Sequence, residues 1–258
     1  MIDLHCHVLP GLDDGPADLA GSLAMARAAE AAGVETIVAT PHIRDDHPFD
    51  LAEIPARAAA VNRALEGEGL ALRVVEGGEL SLAKSTELDE DALRRVSLGG
   101  GPYLLVESPY TAASDLLERD LFALQVRGFR PVLAHPERSP SFLADVDRLE
   151  AIVERGVLCS ITSGSMAGRF GRTVARLTSE LFRRGLVHDV ASDAHDPVRR
   201  SPDLLAGFTA LGDELPGLRV QAAWFTHEAP RAILAGEDLP PRPEPPRRRR
   251  SLRRLVRR

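Results

Sequence analysis

The stretch Gly128-Phe-Arg-Pro-Val-Leu-Ala-His-Pro-Glu-Arg138 decides the fold class. Pro131–Ala134 is a short apolar run between a glycine and a His-Pro turn, the length of a buried strand and too short for a helix. Before it, Ser114 can cap a helix running to Arg127, which Gly128 ends. After it, Asp145 to Arg155 reads as a second helix, ended by Gly156, and Val157–Ile161 as a second strand. Working outward, the alternation persists. Strands are expected at Ile2–Leu4, Glu35–Thr40, Leu72–Val75, Tyr103–Val106 and Val187–Ala191. Helices are expected at Asp18–Ala32, Leu51–Glu68 and Thr173–Arg184, with two more helical segments at about 202–211 and 219–234. A strand–helix unit repeated about seven times implies parallel pairing, hence a barrel or a doubly wound sheet.

Composition agrees with a soluble α/β chain. The 258 residues are 27% charged and 44% hydrophobic, which excludes collagen-like, wholly disordered and membrane-spanning classes. Cys6 and Cys159 are the two cysteines, too few for a disulfide scaffold and in keeping with a reducing cytoplasm. No targeting segment is visible, so a cytoplasmic location is expected, with peripheral attachment at the inner face of the membrane as an option. The net charge of −6 hides a split: Leu239–Arg258 holds nine Arg and one Glu, or +8, which leaves −14 for the rest.

The polar residues of interest fall just after the expected strands, on the side where a parallel α/β fold binds ligands. His5 and His7 follow the first strand, His42 the second, Glu79 the third, Glu107 ends the fourth, His135 and Arg138 follow the fifth, and Asp193 and His195 the last. His5-Cys6-His7 in extended chain aims two imidazoles one way and the thiol the other, so Cys6 reads as a small buried hydrophobe. Asp193-Ala-His195 repeats that geometry with a carboxylate and an imidazole. With the acidic turn Asp13-Asp14-Gly15, the set is too large for one ion and suggests two or three. Imidazole and carboxylate without thiolate suit manganese, zinc or iron better than calcium or magnesium. Arg138 and Arg200, or Arg199 in place of the latter, suit a phosphate through bidentate hydrogen bonds. His47, His188 and His227 receive no role. No arginine brackets a phosphate loop with either cysteine: Leu12 stands six residues after Cys6 and Ser165 six after Cys159, which excludes a cysteine-dependent phosphatase.

These motifs resemble the polymerase-and-histidinol-phosphatase (PHP) superfamily. Within it the chain is most similar to the bacterial manganese-dependent protein-tyrosine phosphatases of capsule and exopolysaccharide loci. The resemblance is carried by Met1-Ile-Asp-Leu-His-Cys-His7, Asp13-Asp-Gly-Pro16, Ile37-Val-Ala-Thr-Pro-His42, Gly78-Glu-Leu80, Leu105-Val-Glu107, Pro131-Val-Leu-Ala-His-Pro-Glu-Arg138 and Val190-Ala-Ser-Asp-Ala-His195. It implies an α/β fold of the distorted (β/α)7 barrel type over residues 1–238. It implies three metals, usually Mn2+ with Zn2+, Fe or Mg2+ as alternatives, held by His5, His7, Asp14, His42, Glu79, Glu107, His135, Asp193 and His195. Arg138 and Arg200 would hold the substrate phosphate, and a metal-activated hydroxide would attack it. The implied partner is a phosphotyrosine protein, the tyrosine-rich tail of a membrane-associated kinase. Histidinol phosphate or another small phosphoester is the alternative substrate class, and a non-catalytic binder of the kinase tail the alternative of another kind. The acidic body disfavours nucleic acid.

Residues 239–258 lie outside the resemblance. Pro240–Pro246 reads as an extended, semi-rigid linker. Arg247–Arg258 reads either as a disordered basic tail, the reading favoured slightly, or as a short amphipathic turn on an anionic membrane.

Overall fold

The computed structural model describes residues 1–110 and 116–246. Nine strands are present among them: β1 Ile2–Cys6, β2 Thr36–Ala39, β3 His42–Ile43, β4 Arg73–Glu76, β5 Glu79–Leu80, β6 Tyr103–Glu107, β7 Arg130–Ala134, β8 Leu158–Thr162 and β9 Asp189–Ala191. Every pairing is parallel, as the alternation with helices requires. One sheet runs β1-β2-β4 and the other β3-β5-β6-β7-β8-β9.

Two of the expected strands, Glu35–Thr40 and Leu72–Val75, are each followed after a break by a two-residue strand that was not expected. Thr40-Pro41 separates β2 from β3, and Gly77-Gly78 separates β4 from β5. The second break needs its glycines. A Cβ on Gly77 would stand 2.8 Å from a Val38 methyl, and one on Gly78 would stand 3.0 Å from Ile43. The breaks matter because they bring His42 and Glu79 directly opposite each other in the β3–β5 pair. Beyond β9 the chain meets β1 again. Asp193 N donates to His5 O at 2.7 Å, His7 N donates to Ala194 O at 2.9 Å, and Cys6 and Ala194 form a parallel bridge.

The helices pack outside the strands. They are α1 Leu19–Ala31, α2 Glu53–Glu68, α3 Leu82–Glu87, α4 Glu90–Arg95, α5 Leu117–Val126, α6 Pro140–Ala144, α7 Val146–Glu154, α8 Ser163–Met166, α9 Arg172–Arg184, α10 Leu205–Leu211 and α11 Ala229–Ala235. Local chemistry sets their ends. Asp18, Ser81, Asp89, Asp145 and Thr162 each accept a backbone N–H from the first turn that follows. Gly69 and Gly185 close α2 and α9 in the left-handed conformation. α9 shows how the inner face is chosen: Val174, Leu177, Leu181 and Phe182 recur at helical spacing and are buried, while Arg183 and Arg184 stay at its edge. α3 and α4 have no counterpart among the expected elements, because six residues are too few to show a period. The expected cap Ser114 and the expected turn in Arg247–Arg258 lie outside the described residues.

Pro240–Pro246 is free of helix and strand. It lies against the body: Leu239 packs on the core, Gln221 donates to Glu244 O at 2.9 Å, and Pro246 is buried. No helix among the described residues is long and apolar enough to cross a membrane.

One strand residue is costly. Asp189 opens β9 fully buried, accepts from Ser160 Oγ at 2.5 Å and leaves Oδ1 without a partner. Burial, and then the neighbouring charge of Asp3, push its pKa up to about 8. The folded state therefore binds the proton that the unfolded chain releases near pH 4, so Asp189 opposes folding increasingly as pH rises from about 4 to about 8. Asp189→Asn keeps an acceptor for Ser160 and removes that term. Its melting temperature should exceed the parent's by a margin that widens between pH 5 and pH 8 and is flat above. The expected size is roughly 2–4 °C for each kcal/mol recovered. A margin independent of pH in a thermal-shift series would refute this account.

Candidate metal centre

Strand ends deliver the polar side chains to one place. His5 lies in β1, which runs on to Cys6 rather than stopping at Leu4, and His7 follows at once. His42 is in β3, Glu79 in β5 and Glu107 ends β6. His135 follows β7, and Asp193 and His195 follow β9. All nine expected ligands meet, in four interlocking groups whose donor atoms lie within 4.8 Å of one another: His7, Asp14, His42 and His195; His5, His7 and Asp193; His5, Glu79 and His135; and His42, Glu79 and Glu107. His5, His7, His42 and Glu79 each serve two groups.

The distances are close on every side. Glu79 Oε2 lies 3.3 Å from His5 Nε2, 3.5 Å from His7 Nε2 and 2.8 Å from His42 Nδ1, while Oε1 lies 2.8 Å from His135 Nε2. Asp193 Oδ1 is 3.5 Å from His5 Nε2 and 3.4 Å from His7 Nε2. Asp14 Oδ1 is 3.5 Å from His42 Nε2 and 3.1 Å from His195 Nε2. Glu79 Oε2 and His42 Nδ1 are both buried and face each other, with His5 and His7 also against Oε2. Five imidazoles and several carboxylates thus face one another with their lone pairs converging. That arrangement satisfies a divalent ion and satisfies little else.

Electrostatics agree. Burial alone would raise the Glu79 and Asp193 carboxyls. Burial is the largest single influence, but the charge of His5 together with hydrogen bonds to Glu79, and with Arg138 at Asp193, exceeds it, so both sit well below the usual range. Burial, then Arg138, push His135 down to about 4. Glu107 is raised by burial and by Glu79, against the pull of Arg44.

The structure separates the two acids of the turn. Asp14 reaches His42 and His195, whereas Asp13 Oδ2 takes the Nδ1 proton of His7 at 2.7 Å and the N–H of His42 at 3.0 Å. Asp13 thereby fixes the tautomer that leaves His7 Nε2 free for the centre. Gly15 is required in that turn, since a Cβ there would stand 2.3 Å from His7 O. His135 and Asp193 are also the only non-glycine residues at positive φ among those described, at 37° and 50°. Backbone strain is concentrated at the site.

The arginines meet at Asp193. Arg138 Nη2 donates to Oδ2 at 2.5 Å and Arg200 Nη2 to the same oxygen at 2.7 Å. The Nε of each is buried without a partner. Arg199 is exposed, and its backbone N–H donates to Asp196, while its side chain makes no hydrogen bond among the described residues. The guanidinium of Arg138 lies 4.6 Å over the Phe170 ring, and Glu137, just before it, accepts from Thr162 N at 3.0 Å.

Several neighbours escaped the sequence. Arg44 holds Glu107 at 3.1 Å, His47 stacks on His42 with 5.4 Å between ring centroids, and Tyr110 stacks on His135 at 5.7 Å. Arg44 follows β3, a strand too short to be read from the sequence, and only adjacency to a ligand in three dimensions marks His47 and Tyr110. Cys6 is fully buried beside Ala194 O, and burial, then Asp3, push its thiol far up, which leaves it inert.

Comparison with known proteins fits this geometry. The chain is 36% identical over 228 residues to the tyrosine-protein phosphatase YwqE of Bacillus subtilis, covering 86% of this chain and 90% of YwqE. It is 28% identical over 204 residues to the putative tyrosine-protein phosphatase CapC of Staphylococcus aureus, covering 78% and 79% of the two chains. The crystal structures of B. subtilis YwqE and Streptococcus pneumoniae CpsB, described as unique metal-dependent tyrosine phosphatases, include a chain that superposes with a TM-score of 0.84 at 34% identity, over 96% of this chain and 100% of that one. A family model for capsular polysaccharide synthesis, CpsB/CapC, matches residues 1–227, and the chain belongs to that family.

Proposed function

We propose that this protein is a metal-dependent protein-tyrosine phosphatase acting on a phosphotyrosine protein, the tail of a membrane-associated kinase being the reading favoured. The observation that carries it is the convergence of nine metal-ligand side chains beside two arginines whose Nε groups lack partners. We read His5, His7, Asp14, His42, Glu79, Glu107, His135, Asp193 and His195 as ligands of up to three Mn2+ ions, with Zn2+, Fe or Mg2+ as alternatives. Bound there, such ions supply Lewis acidity and a water of lowered pKa at neutral pH. The strand segments are taken to form one distorted (β/α)7 barrel, supported by the hydrogen bonds that join the chain after β9 to β1. We take residues 1–238 as the catalytic unit and 239–258 as an appendage. A cytoplasmic site of action, peripheral at the inner face of the membrane through the Arg tail, belongs to the same proposal.

The chain's own residues bind and orient the substrate. Arg138 and Arg200 grip the phosphoryl oxygens, and Asp193 aligns both guanidiniums through one carboxylate oxygen. The Phe170 ring beneath Arg138 and the Glu137–Thr162 bond limit its movement, so little order is lost when phosphate binds. The leaving phenolate has a pKa near 10, so cleavage asks for little proton donation.

A panel of phosphotyrosine peptide, phosphoserine peptide, histidinol phosphate and dinucleotide, run with metal analysis, tests the reading. Preference for the tyrosine peptide is expected, and a preference for histidinol phosphate would replace it. Arg138→Ala should lower kcat/KM for the peptide about 10²–10³-fold, mainly through KM, with the metal content unchanged. Parent-like kinetics in that variant would remove Arg138 from the phosphate site.

A further inference from the structure

A cavity of about 390 Å3 opens at the end of the strands opposite the metal ligands. Tyr103, Arg130 and Leu158, the first residues of β6, β7 and β8, line it, with His188 just before β9. Trp224, and Leu239, Pro240 and Arg242 from the C-terminal segment, add to the wall.

Its polar groups are donors. His188 Nδ1 accepts from Cys159 N at 3.0 Å, so the ring proton resides on Nε2. Burial, then the charge of Arg242, hold that imidazole neutral, with a pKa of about 3. Trp224 is 6% exposed, and its indole N–H is buried without a partner. Arg242 is half-buried and faces the Trp224 ring at 5.9 Å, with no carboxylate or hydrogen-bond acceptor among the described residues. The acceptors nearby are already taken: the Tyr103 hydroxyl accepts from Arg130 and donates to Glu237 O, and Asp238 is paired with Arg130. A half-buried guanidinium without a counter-charge, lining an open cavity, calls for an acceptor that carries negative charge.

We propose that this cavity is a second ligand site, distinct from the metal centre, that binds a small oxyanion at Arg242, beside His188 and the Trp224 ring. Since Arg242 belongs to the segment after α11, the bound anion ties that segment to the base of the strands. The proposal is independent of the phosphatase reading.

The chain has a single tryptophan, and it lines this cavity, so its emission reports on this site and not on the metal centre. The full chain with Mn2+ is titrated with sulfate and, in a second arm, with acetate, at ionic strength held constant with chloride. A saturable change in Trp224 emission is expected in at least one arm, and the tighter arm names the oxyanion class. Arg242→Gln should weaken it about tenfold or more, one charge-assisted bond being of that order, and Arg138→Ala should leave it unchanged. A linear response in both arms, or equal titrations of parent and Arg242→Gln, overturns the site. Because Arg242 also packs on Trp224, crystals of the parent soaked in selenate give an independent reading. An anomalous peak between Arg242 and His188 supports the site, and no peak there at saturating selenate overturns it.

Discussion

Exhaustive chelation is expected to abolish phosphotyrosine hydrolysis by this chain, and added Mn2+ to restore it. The expected loss is at least about 10³-fold, the scale on which electrostatic stabilisation and an activated water contribute to phosphoryl transfer. The basis lies in the site's own imbalance. Glu79 and Asp193 are buried and stay ionised, and Glu79 Oε2 faces imidazoles of the cluster. Among the described residues no lysine or arginine is ion-paired with Glu79; its partners are the imidazoles of His5, His7, His42 and His135. In the absence of metal, protons on imidazole must balance these charges, and the His7 ring is driven well above its ordinary value: burial opposes it, but hydrogen bonds to Asp13, Asp193 and Glu79 prevail. Divalent ions replace those protons, so chelation should also lower the melting temperature at pH 8, where imidazole protonation is least available. Full turnover after chelation, verified by elemental analysis, would end the metal reading.

Asp193→Asn should lower kcat by roughly 10³-fold or more while the fold persists. One side chain does two jobs here. Its Oδ1 lies within 3.5 Å of the Nε2 atoms of both His5 and His7, and its Oδ2 receives both Arg138 and Arg200. Asparagine is the informative replacement, since it tolerates the positive φ of 50° that this position requires. Alanine would add backbone strain to the loss of charge. The neutral amide cannot balance a metal and presents N–H groups toward one partner set or the other. A decline in bound metal together with a rise in KM is therefore expected, read by metal analysis and steady-state kinetics. Near-parent turnover with a full metal complement would show that Asp193 only orients the arginines.

The residues that could be found from the sequence share one property. Each sits at or just after an apolar run: His5 and His7 after Ile2–Leu4, His42 after Thr36–Ala39, His135 after Pro131–Ala134. Parallel strands make that position a spatial address, so residues up to about 190 apart were expected together. Asp13 against Asp14, and Arg199 against Arg200, could not be decided in that way. Neighbours in a turn point to different sides, and which side faces the centre depends on how the turn docks. His47, Tyr110 and Phe170 carried no such address, and that of Arg44, directly after β3, was hidden because β3 is only two residues long. They lie in loops, and they matter because the loops fold back over ligands of other strands.

By itself, then, the sequence determined the α/β alternation, the edge on which the polar side chains gather and which imidazoles and carboxylates are brought together there, since these follow from period, punctuation and residue type. The tertiary structure alone decided the breaks at Thr40-Pro41 and Gly77-Gly78 that set His42 opposite Glu79, the pairing of both arginines on one Asp193 oxygen, and the docking of Pro240–Pro246 against Trp224 and its neighbours. The reason is physical. Local sequence governs what a segment becomes, whereas register, loop docking and burial depend on contacts between segments far apart in the chain, which no local pattern encodes.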